Sequence, residues 1–126
     1  MSKDKLKVEM PAKYNYRYED DVFYARPANR KYSSSIDNGE FIFDIGNNGE
    51  VVGIEILNAS KILHVPKEAL RNLISMKLLV VVSEEKIQIS IQLKASLRNG
   101  QTSGSLFVDR DVPEFMQPSQ LQMALV

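Results

Sequence analysis

The segment from residue 40 to residue 57 has the sequence EFIFDIGNNGEVVGIEIL and carries the clearest structural signal in the chain. Apolar residues alternate with other residues on both sides of a centre rich in glycine and asparagine. These apolar residues are Phe41, Phe43 and Ile45 before the centre and Val52, Ile54 and Ile56 after it. Asn48 and Gly49 tolerate the positive φ angles that a tight two-residue hairpin turn requires. We therefore predict an antiparallel hairpin closed by an Asn-Gly turn.

Similar patterns predict further strands on both sides of this hairpin. In residues 14–26, tyrosines alternate with polar residues before an acidic turn, and this pattern predicts an N-terminal hairpin. Pro27–Asn38 is expected to be an irregular loop, with room for a short strand around Tyr32. The unbroken apolar run from Leu78 to Val82 is typical of a central strand that is buried on both faces. Ile87–Leu97 alternates apolar and polar residues, so it predicts a long strand with one face in water. A last strand is expected over Ser105–Val112.

One helix is predicted between the two groups of strands. Pro66 suits the first turn of a helix because its φ angle is already helical. Residues 68–74 follow with the sequence EALRNLI, in which Leu70, Leu73 and Ile74 share one face of a helix. The predicted fold class is therefore α+β, mainly antiparallel β, with a hairpin-built sheet and one short helix packed on a face.

The length of 126 residues suits one domain. We expect an N-terminal tail over residues 1–13, a single domain of antiparallel strands and one helix over residues 14–113, and a C-terminal tail over residues 114–126. The C-terminal segment is expected to be loosely attached. The alternative is that it docks onto the domain or onto a partner, because terminal apolar residues are costly to leave in water.

The composition excludes several classes of function. The chain has no cysteine and one histidine, so a disulfide framework, a thiolate metal site and a multi-histidine site are all excluded within one chain. Lys plus Arg and Asp plus Glu both number 16, so no net charge favours nucleic acid or a membrane. The N-terminal residues lack the apolar run of a signal peptide, and no apolar run is long enough to span a membrane. We therefore expect a cytoplasmic protein without membrane contact.

Three segments together carry a family resemblance. They are Tyr18–Tyr24, Gly39–Asp44 and Val51–Ser60, of which the last is the most specific. From residue 14 to residue 63 the chain resembles the small prokaryotic domain-of-unknown-function family 2283. The family has no established activity. Because some members sit beside small toxin-like proteins, the resemblance implies an interaction or antitoxin-like role.

A calcium-loop pattern overlaps the central hairpin. The residues Asp44, Asn48, Gly49, Val51 and Glu55 have the spacing of ligand, turn and apolar positions in an EF-hand loop. The third position, however, is a glycine without a side-chain oxygen, and the flanking segments alternate as strands. We therefore expect no calcium site and expect Asp44 and Glu55 to lie exposed on the outward face of the hairpin.

The other candidate groups for chemistry are isolated in the sequence. His64 has no nucleophile or companion ligand near it, and the pairs Asp20-Asp21 and Asp109/Asp111 are typical of solvated turns and edges. We assign no catalytic, cofactor-binding or metal-binding residue. The alternative is a small ion-binding or hydrolytic domain that uses Asp44, Glu55 and His64.

Nucleic-acid binding is a second alternative, because aromatic and basic residues are mixed near the N-terminus. These residues are Tyr14, Tyr16, Arg17, Tyr18, Phe23, Tyr24, Arg26, Arg30, Lys31 and Tyr32. Bases stack on such aromatic side chains in several RNA-binding sheets. Three consecutive acidic residues, 19–21, oppose phosphate binding, and cross-strand aromatic pairs stabilise hairpins without any ligand. We therefore do not expect nucleic acid as the partner.

The favoured function is a non-enzymatic protein-interaction or regulatory module. The expected partner is a second copy of the chain or a small protein, with a toxin-like protein as one possibility. Ile87–Leu97 is predicted to be an edge strand that pairs with a second chain. The binding surface of first interest combines the hairpin from Tyr14 to Tyr24 with the outward face of the two strands over residues 41–56.

Overall fold

The computed structural model describes residues 9–28, 31–113 and 116–125. Strands dominate this part of the chain. The strands are β1 (Met10–Arg17), β2 (Val22–Pro27), β3 (Ser34–Asn38), β4 (Phe41–Ile45), β5 (Val51–Leu57), β6 (Leu73–Val82), β7 (Lys86–Leu97), β8 (Gly100–Asp111) and β9 (Ser119–Leu125), and the helices are α1 (Ala59–Leu63) and α2 (Lys67–Leu70). None of the described helices is long and apolar enough to cross a membrane.

The strands form one sheet in the order β3-β4-β5-β2-β1-β9-β6-β7-β8, which curls into a half-barrel. Neighbouring strands run antiparallel except for β1 and β9, which pair in parallel. The predicted mainly antiparallel β architecture is therefore confirmed. The strands at the two edges of the sheet are β3 and β8.

The predicted central hairpin is confirmed as β4 and β5, with Phe43 opposite Ile54. Its turn is wider than predicted. The Gly46 N–H donates to the Glu50 carbonyl at 2.8 Å, so three residues, 47–49, form the loop. Among these three only Gly49 has a positive φ angle, of 81°. This is the loop form in which an ordinary turn is followed by one left-handed glycine, and the prediction of a two-residue turn was wrong.

The helical region differs from the prediction of one helix over residues 68–74. Two short helices are present, and α2 already ends at Leu70. Leu73 and Ile74 belong to β6, where Leu73 pairs with Ala95 of β7. The Ser96 N–H also donates to the Asn72 carbonyl at 2.9 Å. Residues whose local sequence favours a helix are therefore part of a strand, because they form hydrogen bonds in the sheet. Tertiary structure commonly overrides local helix preference in this way.

Three strand predictions also need correction. The expected loop over Pro27–Asn38 contains β3, which pairs along its length with β4. β6 is buried on one face only, because alternate residues such as Leu79 and Val81 remain partly exposed. The segment Ile87–Leu97 lies in β7, between β6 and β8. Both of its sides are therefore paired, and the prediction that it is a free edge strand was wrong.

The C-terminal segment is not the expected loosely attached tail and follows the alternative, in which it docks onto the domain. Residues 119–125 of the expected tail form β9, which lies in the middle of the sheet between β1 and β6. Leu121 and Met123 of β9 are fully buried. Met10 and Pro11 of the expected N-terminal tail pair with β9 in parallel. Residues 1–8, 114, 115 and 126 of the two tails lie outside the described residues.

We expect Leu121→Ala to lower the free energy of unfolding by about 2–5 kcal/mol, because it leaves a cavity in the core. Gln120→Ala changes the exposed neighbour on the same strand and should alter stability by less than about 0.5 kcal/mol. Urea unfolding measures both values. Equal small effects would contradict the central position of β9.

Candidate functional site

A polar groove lies on the outward face of the five strands β1 to β5. We call this cavity of about 330 Å³ the polar groove, and its lining residues are Asn15, Arg17, Tyr24, Arg26, Tyr32, Ser35, Asp44 and Glu55. Its position follows from strand alternation: Phe23, Ala25, Ile54 and Ile56 are buried in the core, so their neighbours point to the other face. The groove overlaps the surface of first interest that the sequence indicated, and it also includes Arg26, Tyr32 and Ser35, which lie outside that surface.

Asp44 forms the floor of the polar groove and is only 5% exposed. The Tyr24 hydroxyl donates a hydrogen bond of 2.6 Å to Asp44 Oδ2, and the Ser35 hydroxyl donates one of 3.0 Å to Oδ1. The prediction of an exposed Asp44 was therefore wrong. It failed because β3, which supplies Ser35, was expected to be a loop.

Gly53 makes room for the buried carboxylate. It pairs with Asp44 across β4 and β5, and a Cβ atom at Gly53 would lie 3.0 Å from Asp44 Oδ2. Sequence reasoning missed this role. The available signal was a glycine inside an otherwise apolar strand, which often marks the close approach of another group.

The Tyr24 hydroxyl stays protonated at neutral pH. Burial raises the pKa of Tyr24, and the hydrogen bond to Asp44 and the negative charge of that carboxylate raise it further. Tyr24 therefore acts as a fixed hydrogen-bond donor to Asp44, so this pair holds the floor of the polar groove in one arrangement.

The two arginines of the polar groove differ in their partners. Arg17 lies 3.4 Å from Asp20 and 3.6 Å from Glu55, so its charge is shared between two carboxylates. The Arg26 guanidinium lies over the Tyr24 ring at 5.9 Å. Among the described residues, no carboxylate oxygen lies within 4.0 Å of Arg26. Arg26 thus offers a positive charge to a ligand of the groove.

A second buried carboxylate, Asp21, forms a structural link. The Tyr16 hydroxyl donates to Oδ1 at 2.6 Å, and the Ser60 N–H and hydroxyl donate to Oδ1 and Oδ2 at 2.9 and 2.7 Å. Asp21 thereby joins the β1–β2 turn to the first turn of α1. Its neighbour Asp20 is exposed and faces Arg17, so the acidic pair does not form a two-carboxylate site.

The pKa of Asp21 results from two opposing effects. Burial of the carboxylate alone would raise it. The hydrogen bonds from Tyr16 and Ser60 stabilise the charged form, and the positive charge of Lys67 adds to them. These interactions outweigh burial and lower the pKa of Asp21 below its usual range.

His64 lies apart from the polar groove. It is exposed, has a positive φ of 58° at the end of α1, and lines a separate cavity of about 630 Å³ together with Met76, Leu93 and Leu125. Asp44 and Glu55 line the groove instead, so the structure does not bring the three groups into one cavity. Over residues 9–28, 31–113 and 116–125, no group of three acidic, histidine or cysteine residues could hold a metal ion.

The aromatic residues of the N-terminal stretch do not form one exposed stacking surface. Tyr14 stacks on the buried ring of Phe23 with a centroid distance of 5.6 Å, and Tyr16 is bound to Asp21. Tyr18 lies beneath Lys67 and Arg71 at 4.9 and 5.1 Å, outside the groove. Arg30 falls outside the described residues. The aromatic residues that line the groove are Tyr24 and Tyr32.

We expect Tyr24→Phe to lower the free energy of unfolding by about 1.5–3 kcal/mol, because it removes a hydrogen bond to a buried carboxylate. Tyr32→Phe removes the hydroxyl of an exposed tyrosine in the same groove and should have little effect. Chemical denaturation of both variants provides the comparison. If they lose the same stability, the Tyr24–Asp44 bond does not hold the groove.

We expect Asp21→Asn to lower the free energy of unfolding at pH 7 by about 1.5–3 kcal/mol. Asparagine tolerates the left-handed backbone of this residue, so the change removes mainly the charge. Because folding lowers the pKa of Asp21, its contribution is present above the ordinary value of 3.8 and is lost as the pH falls through the folded-state value. The difference from the wild type should therefore shrink in acid.

Thermal unfolding measured from neutral to acid pH tests this dependence on Asp21. The exposed neighbour provides the control, and Asp20→Asn should leave the unfolding temperature nearly unchanged at every pH. The unfolding temperatures of the wild type and of Asp21→Asn should approach each other below pH 3.8. A difference in unfolding temperature that stays constant there would argue against a stabilising role of the charged form.

The segment that forms the groove matches the profile of a known protein family. The profile of the family described as "Protein of unknown function (DUF2283)" matches residues 13–60, which include every residue that lines the polar groove. A Methanosarcina mazei protein, provisionally named a hypoxanthine phosphoribosyltransferase, is 39% identical over 87 residues, which cover 69% of this chain and 71% of the relative.

An uncharacterized protein of Methanocaldococcus jannaschii is 36% identical over 85 residues, which cover 67% of this chain and 73% of that relative. No solved structure matches the chain. The family profile and the extent of these two relationships confirm the resemblance seen in the sequence. The chain therefore belongs to the DUF2283 family of proteins of unknown function.

Proposed function

We propose that this protein is a non-enzymatic protein-interaction module that binds a segment of a small protein partner in the polar groove. The observation that carries the proposal is Arg26, which faces a concave surface without a carboxylate partner among the described residues. Arginine and tyrosine dominate the binding energy of many protein interfaces, and both line this groove.

The chemistry of the groove defines the segment that it fits. Arg26 favours a carboxylate from the partner, because its charge is not shared with an acid of the described chain. Tyr32 is 51% exposed and offers a flat ring at the rim. The partner segment therefore carries an acidic residue next to an apolar or aromatic one. Asp44 is already bound by Tyr24 and Ser35, so it supports the groove from below.

An enzymatic function has less support from the same geometry. A hydrolytic or ion-binding site needs its groups gathered in one cleft, whereas Asp44 and His64 line different cavities.

A random-peptide library displayed on phage tests the proposal and needs no identified partner. Peptides selected on the wild-type protein should be enriched in Asp and Glu. Arg26→Glu should weaken their binding by about 10-fold or more, which corresponds to about 1.4 kcal/mol. Arg98→Glu makes the same change at an exposed turn away from the groove and should leave binding unchanged.

Two results would count against this function. The first is a selection that yields no binding peptide. The second is a set of peptides that bind the wild type and Arg26→Glu equally well. Folding of both variants is checked by circular dichroism, so that a loss of binding is not confused with a loss of structure.

A further inference from the structure

β8 is the strand at one edge of the described sheet. β8 has 12 residues, lies at one end of the sheet and pairs with β7 alone among the described strands. The backbone N–H and C=O groups that point away from β7 therefore lack a strand partner. An open edge of this length is a template on which another strand can pair.

The first nine residues of β8 lack the features that usually protect a sheet edge, whereas its last three, Asp109, Arg110 and Asp111, are charged. Residues 100–108 include neither a charged residue nor a proline. Proteins commonly block exposed edges with such residues or keep the edge strand short. The strand at the opposite edge, β3, is short, with 5 residues. The uncharged stretch of β8 over residues 100–108 is therefore suited to pairing with another strand.

Phe107 is the most exposed large apolar residue of this edge strand. Its side chain is 67% exposed, the largest exposed fraction among the large hydrophobic residues of the described chain. It lies on the outward face of β8, opposite Ser90 of β7. A second strand beside β8 would cover this ring.

We propose that two copies of this chain pair their β8 strands antiparallel, about a two-fold axis that passes beside Phe107. The two sheets then continue into each other, and each Phe107 ring lies beside its symmetry mate. Directly opposite residues in such a pair have Cβ atoms about 4.5–5.5 Å apart, which is close enough for aromatic contact.

Hydrogen-bond complementarity between side chains favours a second copy in this register. Asp109 lies opposite Ser105 of the partner subunit, and Asp111 lies opposite Ser103 of the partner subunit. Hydroxyl groups that can donate thus face carboxylates, and no two like charges are directly opposed. A shift of the axis to Asp109 would place two carboxylates opposite each other. The formal net charge of zero also avoids repulsion between copies.

The charged end of β8 is compatible with this pairing. Arg110 lies 3.8 Å from Glu40 and 5.6 Å from the buried Phe41 ring, so its side chain is directed to the inner side of the sheet. Lys86 of β7 holds Asp111 at 3.1 Å. These contacts are made within one chain and leave the outward row of residues 103, 105, 107 and 109 available to the partner.

Sedimentation velocity at micromolar concentrations tests the dimer. The wild type should show a concentration-dependent species with the mass of two chains. Phe107→Lys places two like charges on the symmetry axis and should raise the dissociation constant by about 10-fold or more. Ile74→Lys makes a comparable change at an exposed apolar residue of β6, a strand that is paired on both sides, and should leave the constant unchanged.

Engineered cysteines test the register, because the natural chain contains none. Phe107→Cys should form a disulfide-linked dimer rapidly under mild oxidation, since its symmetry mate is adjacent. Ser105→Cys should cross-link slowly, because its opposite residue is Asp109 of the partner subunit. If Phe107→Lys fails to fold, the cross-linking rates of the two cysteine variants still test the proposed dimer.

A wild type that stays monomeric would overturn the proposal. A dimer that tolerates Phe107→Lys, or faster cross-linking at Ser105 than at Phe107, would also overturn it. The polar groove is not involved in any of these measurements, so their outcome is independent of the groove's function.

Discussion

The fold depends on the burial of β9 between β1 and β6. All seven residues of β9 pair with β6, and two of them also pair with β1. This strand joins the N-terminal strands β1–β5 to the C-terminal strands β6–β8, so the sheet is continuous only when the end of the chain is in place. Leu121 and Met123 fill the core at this junction. Their burial removes apolar surface from water, which is the main favourable contribution to folding.

The same core determines the arrangement of the polar groove. Because the inward residues of β2, β4 and β5 are buried, the alternate residues of these strands must point outward and converge on one surface. Hydrogen bonds then hold the convergent groups, with Asp44 bound by Tyr24 and Ser35, and with Gly53 leaving the space that the carboxylate occupies. Buried carboxylates are stable only when they are hydrogen-bonded or paired in this way.

The two halves of the sheet present different kinds of surface. The half that matches the DUF2283 family carries the groove, with charged and aromatic side chains held at fixed positions. The other half ends in β8, whose outer backbone groups have no strand partner among the described strands. The two interactions that we propose for these surfaces can coexist, since β8 is separated from β1 by three strands.

Part of this structure could be predicted from the sequence alone, because it depends on local chemistry. Strand alternation and a glycine-containing turn predicted the hairpin over residues 41–56 and the long strand β7, because both depend on neighbouring residues only. The tertiary structure alone decided that β9 enters the middle of the sheet, that the predicted helix is cut short at Leu70, and that Asp44 is buried. The physical reason is that strand order and burial depend on pairing between residues that are distant in the chain, and a local pattern of apolar and polar residues carries no information about which strands meet.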